Sequence, residues 1–313
     1  MSLEGGRCPV PAALDGLPWT SSDNYMGHGT DAASWEEARV VVLPVPYEST
    51  TSYGPGTRSG PRAIIEASAY VELYDEELDL EPREAGMCTL PFLELPATGP
   101  EAAVARLREH YAELLGVSGD RFILTLGGEH SISSAPIHAW LDRAGDDLSV
   151  LQLDAHSDLR PSYHGTPWSH ASVMRRVLDR TANIAAVGIR SLTGQERRLI
   201  EERGITTVFA EEMRSEGWIE KALSGLTDTV YVTFDVDFFD PSLLPATGTP
   251  EPGGGSWWQA LDLLRAVFRE RTVVAADIVE LAPGLGPMAS SVVAAKLGYK
   301  MIGYAAYADR IGR

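Results

Sequence analysis

The residues able to do chemistry in this chain come as short acid and imidazole clusters, each placed after an apolar run. RFILTL at 121–126 is followed by GGEHS, which sets His130 behind a glycine pair. LSVLQL at 148–153 runs into DAHSD, with Asp154, His156 and Asp158 at alternate positions. TVYVTF at 229–234 is followed by DVDFFDP, giving Asp235 and Asp237, and the run that begins at Thr272 ends at Glu280. Side chains at i, i+2 and i+4 of an extended segment point the same way, so Asp154, His156 and Asp158 are expected to share a face, as are Asp235 and Asp237. Carboxylates at that density cannot all stay ionised without counter-charge. Two divalent cations would supply it, and a bridging hydroxide with a cationic substrate would bring the site near balance. An oxygen-rich set with two histidines suits Mn²⁺ better than structural Zn²⁺, which favours thiolates. A single such cluster after a strand is more often a helix cap or a solvated loop than a ligand set. Clusters on several strand ends of one edge are not explained by independent capping.

Delivering these groups to one place requires an open α/β sheet, in which ligands sit beyond the carboxyl ends of the strands. From Val40 onward, short apolar runs alternate with helix-period segments, the signature of a parallel sheet covered by helices on both faces. The expected strands are 40–46, 121–126, 148–153, 184–189, 205–209, 229–234 and 272–279, and their unbroken apolar character says that both faces are buried. Helices are expected over 60–74, 100–116, 131–144, 170–180, 193–203, 256–270 and 289–304. The expected fold is thus a three-layer, doubly wound, mostly parallel sheet. Residues 1–38, rich in Gly, Pro and Ser, read as an extended arm over the domain or over a neighbouring subunit, and 39–313 as one catalytic domain.

Composition narrows the function class. The 313 residues are 44% hydrophobic and 22% charged, ordinary for a globular protein, and 26 basic against 44 acidic residues give a net charge of −18. That balance argues against nucleic acid or anionic membranes as partners and favours metal ions or a small cation. Cys8 and Cys88 lack metal-binding spacing, so a reducing compartment, the cytoplasm, is the default expectation. The apolar stretch 290–308 is interrupted by Lys296 and Lys300 and reads as a packing helix, not a membrane span.

Three blocks now carry a resemblance: GGEHS at 127–131, DAHSD at 154–158 and TFDVDFFDPSLLPATGTPEPGG at 233–254. They resemble the signature blocks of the ureohydrolase family, which includes arginases, agmatinases and related guanidino hydrolases, and YGPGTRSGPRAIIEAS at 53–68 is similar to its N-terminal glycine-rich segment. The resemblance implies an arginase-like fold, a binuclear manganese centre with two Mn²⁺ per subunit, and a homo-oligomer, trimer or hexamer. By motif, one ion would be held by His130, Asp154, Asp158 and Asp235, the other by His156, Asp154, Asp235 and Asp237, with Asp154 and Asp235 bridging. Solvent between the ions is the expected nucleophile. Glu280 matches the glutamate that pairs with the guanidinium, and Thr249 a second substrate contact. Together with the ligand Asp158 and with Glu280, His170 in SHA is expected among the catalytic residues, as the histidine that protonates the leaving amine.

The loop LRPSYHGTPWS at 159–169 resembles that of agmatinases and lacks the asparagine-containing stretch of arginases. It points to agmatine, hydrolysed to putrescine and urea. His164 stands where relatives often carry an acidic residue, and Arg160 offers a partner for a carboxylate tail, so both are candidate substrate contacts and a guanidino acid such as 4-guanidinobutyrate is the alternative. A formimino or amide hydrolase and a non-catalytic relative are the remaining rivals, although every ligand position is filled. Trp257, Trp258, His28, His110 and His138 read as packing or surface residues, and GPGTRSG lacks the spacing of a phosphate loop.

Overall fold

The computed structural model describes residues 11–17, 23–27 and 33–312; Cys8 and His28 lie outside them. Eight strands form one sheet: β1 (Val40–Val45), β2 (Met87–Thr89), β3 (Phe122–Gly127), β4 (Leu148–Leu153), β5 (Ile184–Ile189), β6 (Thr206–Phe209), β7 (Thr229–Asp235) and β8 (Thr272–Val279). All pair in parallel, in the order β2-β1-β3-β8-β7-β4-β5-β6. The chain builds outward to β2, switches to the other edge through β4, β5 and β6, and returns to fill the centre with β7 and β8. The carboxyl ends of β3, β8, β7 and β4 therefore lie side by side at the topological switch, where this class of fold binds ligands.

The helices are α1 (Gly60–Ser68), α2 (Pro100–Ser118), α3 (Ser134–Ala144), α4 (Val173–Leu178), α5 (Gly194–Arg203), α6 (Trp218–Ser224), α7 (Trp257–Glu270) and α8 (Ala289–Ala306). Alternate strand residues feed two separate cores. Val40, Val42, Leu124, Leu126, Leu151 and Leu153 pack with α1, α6, α7 and α8, whereas Val41, Leu43, Ile123, Leu148 and Val150 pack with α2, α3, α4 and α5. The three-layer α/β arrangement thus follows from the period of two along strands buried on both sides.

Four details depart from the sequence reading. The helix expected over 60–74 stops at Ser68, whose hydroxyl donates to the Ile65 carbonyl at 2.7 Å and accepts from the Met26 amide at 2.8 Å. β2 and α6 were not expected; three strand residues and seven helical ones are too short to show a period. The segment expected as a helix over 170–180 is a 3₁₀ turn at His170–Ser172 followed by α4. Of the arm, the described residues Leu14, Tyr25, Met26 and Trp35 are buried in the two cores of this same chain, not draped over its surface. Among the described residues no helix is long and apolar enough to cross a membrane.

Candidate active site

β3 leads into the turn Gly127–Glu129. A Cβ on Gly128 would lie 1.9 Å from the Tyr47 carbonyl oxygen and one on Gly127 2.7 Å from Val279 Cγ1, so neither position has room for a side chain. The turn delivers His130, whose Nδ1 lies 3.2 Å from Asp154 Oδ2, 3.1 Å from Asp158 Oδ2 and 3.3 Å from Asp235 Oδ2. Hydrogen-bond counting fixes the tautomer. Thr233 Oγ1 donates its single hydrogen to Asp277 Oδ1 at 2.7 Å, so it accepts from His130 Nε2 at 2.9 Å. The Tyr231 hydroxyl holds the other oxygen of Asp277 at 2.8 Å. That leaves Nδ1, buried but facing three carboxylates that push the ring's pKa well up, as the nitrogen that takes a cation or, without one, a proton. Electron-rich atoms aimed at one point are a donor set for a cation, and the Asp277–Thr233–His130 chain is the outer support that metal-binding histidines require. Neither Thr233 nor Asp277 was singled out from sequence; the signal was an aspartate inside the apolar run VVAADIV.

His156 Nδ1 lies 2.9 Å from Asp237 Oδ2 and 3.7 Å from Asp154 Oδ1. His130, Asp154 and Asp235 form one group able to hold an ion, and Asp154, His156 and Asp237 a second, with ligand atoms of each group within 4.8 Å of one another. Asp154 is common to both. Asp235 joins only the first group, and its Oδ1 accepts from the Asp237 amide at 2.8 Å. The same-face expectation is replaced by turn geometry, because β4 ends before Asp154 and Asp237 sits in a 3₁₀ turn, Val236–Phe238. Asp158 reaches His130 from a left-handed backbone, φ 52°, and Glu280 leaves β8 at φ 66°. Such conformations are costly for non-glycine residues and concentrate at functional sites. Arg190, also unforeseen, braces the backbone beside Asp237, donating to the carbonyls of Gly188 (3.0 Å), Asp237 (2.7 Å) and Glu251 (2.9 Å).

A cavity of about 230 Å³ opens above both groups, lined in part by Ser52, Arg160, Tyr163, His170, Thr249 and Glu280. Glu280 Oε1 accepts from the His130 amide at 2.6 Å, leaving lone pairs on its carboxylate for a ligand. Thr249 Oγ1 donates to Asp237 Oδ2 at 3.4 Å. Arg160 places its guanidinium over the Tyr163 ring, 4.8 Å from the centroid, and lines the cavity. His164 is exposed at φ 48°, lies against Tyr163 with ring centroids 4.2 Å apart and planes tilted by 33°, and does not line the cavity. Tyr163, which sequence reasoning passed over, takes that place. Glu129 belongs to neither cation group.

Without cations the cluster holds protons. Burial, then the charges of Asp158 and Asp237, push Asp154 up to about 7, and burial lifts Glu280 to about 8. Burial opposes protonation of His156, but the Asp237 carboxylate overrides it and raises the imidazole to about 11. Asp237 moves the other way, to about 2, because against its burial stand the charge and hydrogen bond of His156. The sign of the stability effect follows. Groups with raised values keep protons in the folded state that the unfolded chain has released, so their stabilisation is full below the ordinary carboxylate range and is lost as pH rises through 7 and 8, and for His156 on toward 11. Asp237 acts only below its ordinary value. Chelator-treated protein is therefore expected to unfold at progressively lower temperature from about pH 5 to about pH 8, and divalent cations, which replace the protons, should flatten that slope. Thermal unfolding across this range, with and without metal, checks it; a melting temperature of the chelated protein that rises with pH would contradict the arrangement.

The family model described as Arginase family matches residues 38–303. The chain is 38% identical over 293 residues to the N(1)-aminopropylagmatine ureohydrolase of Synechocystis sp., covering 91% of this chain and 95% of that protein. It is 33% identical over 271 residues to the agmatinase of Pyrococcus horikoshii, covering 87% and 93%. Among solved structures it is similar to the agmatine ureohydrolase of Thermoplasma volcanium, with a TM-score of 0.79 at 29% identity, covering 88% of this chain and 92% of that one.

Proposed function

The chain belongs to the arginase family, as a ureohydrolase acting on amidine C–N bonds, and from that premise we propose that it hydrolyses a guanidine with a cationic tail, agmatine or its N1-aminopropyl derivative, to urea and the corresponding amine. The observation that carries the reading is the convergence of His130, Asp154, Asp158, Asp235, His156 and Asp237 on two positions sharing Asp154, with Glu280 and His170 facing the same cavity. The names of the relatives supply the substrate class. A cleft of about 400 Å³ shares Arg160, Thr193 and Glu196 with the lining of the cavity.

The residues divide the work. His130, Asp154, Asp158 and Asp235 would hold one divalent cation, and Asp154, His156 and Asp237 the other; manganese suits this oxygen-rich set. Such a pair, when bound, neutralises the aspartates and makes water acidic enough to serve as a nucleophile near neutral pH. Glu280 accepts two parallel N–H bonds from the planar guanidinium, whose charge favours the ionised carboxylate, and so holds the guanidinium carbon in place. Thr249, beside Asp237, fixes the rim of the second position. His170 delivers a proton to the departing nitrogen, which cannot leave as an amide anion. Burial lowers the pKa of His170, so the ring rests neutral near pH 7 and the proton it hands to the departing nitrogen is one released by the attacking water.

Arg160 favours a second reading, in which the tail is a carboxylate and the substrate a guanidino acid, because its guanidinium lines both the cavity and the neighbouring cleft. The two are separated by kcat/KM for agmatine, N1-aminopropylagmatine, 4-guanidinobutyrate and arginine at equal Mn²⁺ loading. The cationic tails are expected to lead. An advantage of about tenfold or more for the acid, about 1.4 kcal/mol at the transition state, would assign Arg160 to a carboxylate and overturn the agmatine reading.

A further inference from the structure

Thr50 and Glu129 stand 79 residues apart in sequence and meet beneath His170. Glu129 is fully buried, and its carboxylate accepts four bonds. The amides of Ser49 and Thr50 reach Oε2 at 2.6 Å each, while the hydroxyls of Thr50 (2.8 Å) and Ser131 (2.5 Å) reach Oε1. Thr50 Oγ1 has one hydrogen and two lone pairs. The hydrogen goes to the carboxylate, since a charged acceptor at 2.8 Å outcompetes an imidazole nitrogen at 3.2 Å. The lone pairs then face the two groups of His170 that point at Thr50, its backbone amide at 3.0 Å and its ring Nδ1 at 3.2 Å. Ser169 Oγ, 3.3 Å from the same ring nitrogen, accepts from the Ala171 amide and keeps its own rotatable hydrogen, so its direction toward Nδ1 follows the tautomer that Thr50 selects. Nδ1 therefore carries a proton in either charge state of the ring, and the exchangeable position is Nε2, which lies 3.2 Å from Ser52 Oγ on the cavity lining.

We propose that Glu129, acting through the Thr50 hydroxyl, is a positioning residue that fixes the tautomer and aim of His170, a carboxylate–hydroxyl–imidazole relay separate from the cation ligands. The inference rests on the reading of His170 as the proton donor. It explains why a buried acid beside the ligand His130 holds no place in either cation group: its oxygens are spent on the 49–50 backbone and on Thr50. Without the hydroxyl, the ring loses the acceptor that selects Nδ1–H, and both tautomers and a rotated ring become accessible.

The test is a mutant cycle on the Mn²⁺-loaded enzyme. Thr50→Val is expected to lower kcat about 10- to 100-fold, the range for loss of an orienting partner, with KM and metal content unchanged. Thr50→Ser, which keeps the hydroxyl, should recover most of kcat, and Glu129→Gln, which removes one acceptor oxygen, should reproduce the Thr50→Val loss. In a His170→Ala background, Thr50→Val should cost nothing further. Losses that multiply in the double variant, a fall in Thr50→Ser equal to that in Thr50→Val, or an unchanged kcat in Thr50→Val would each overturn the relay while leaving His170 as donor intact. An unchanged kcat in His170→Ala alone would overturn the donor reading itself, and the relay with it.

Discussion

Replacement of Asp154 by alanine is expected to abolish urea formation and to strip the protein of cations at both positions together. Asp154 is the residue common to the two groups, wholly buried, with Oδ2 facing His130 and Oδ1 facing His156. Removing a mere outer partner of a ligand already costs about 10- to 100-fold in metal affinity or activity, so loss of a shared ligand should exceed about 100-fold in kcat/KM. Asp237→Asn, which touches one group only, should leave one ion retained more firmly than the other. Metal content of the dialysed proteins, measured beside activity, decides the matter. An Asp154→Ala protein that keeps two ions and turns over normally would remove the basis for a binuclear site.

His170→Ala should lower kcat by roughly 10²- to 10⁴-fold, the range for a general acid–base group, with metal content unchanged. The geometry supports that separation, since the hydrogen-bond partners of the ring are Thr50, Ser52 and Ser169 and not the cation ligands. His164→Ala is the natural control. Its ring is exposed and meets the cavity only through Tyr163, so the change should be confined to KM and small. A large kcat loss in His164→Ala with His170→Ala near normal would reverse the two roles.

The strands that matter were legible because a parallel strand buried on both faces reads as a continuous apolar run, as in FILTL, SVLQL and TVYVTF. Each run ends at or just before the residues that present side chains beyond the sheet, so the pattern alone puts His130, Asp154, Asp235 and Glu280 at one edge. The manner of delivery was not legible. Alternation suggested an extended DAHSD, whereas Asp158 comes back to His130 through a left-handed residue, a choice set by neighbours far along the chain. The supports were hidden for the same reason: Asp277, Thr50, Glu129 and Arg190 act on partners dozens of residues away, and nothing in their local sequence names those partners. His164 drew attention as an imidazole in the substrate loop, yet a histidine at positive φ followed by Gly165 at φ 84° belongs to the tight turn between Tyr163 and Thr166.

The central claim is cleavage of a guanidino carbon to urea, and the most direct measurement is the product balance of the Mn²⁺-loaded protein acting on its best guanidine. Equimolar urea and free amine are predicted, lost on chelation and restored by Mn²⁺. Ammonia or formamide in place of urea, or no turnover of any guanidine by fully metal-loaded protein, would contradict it.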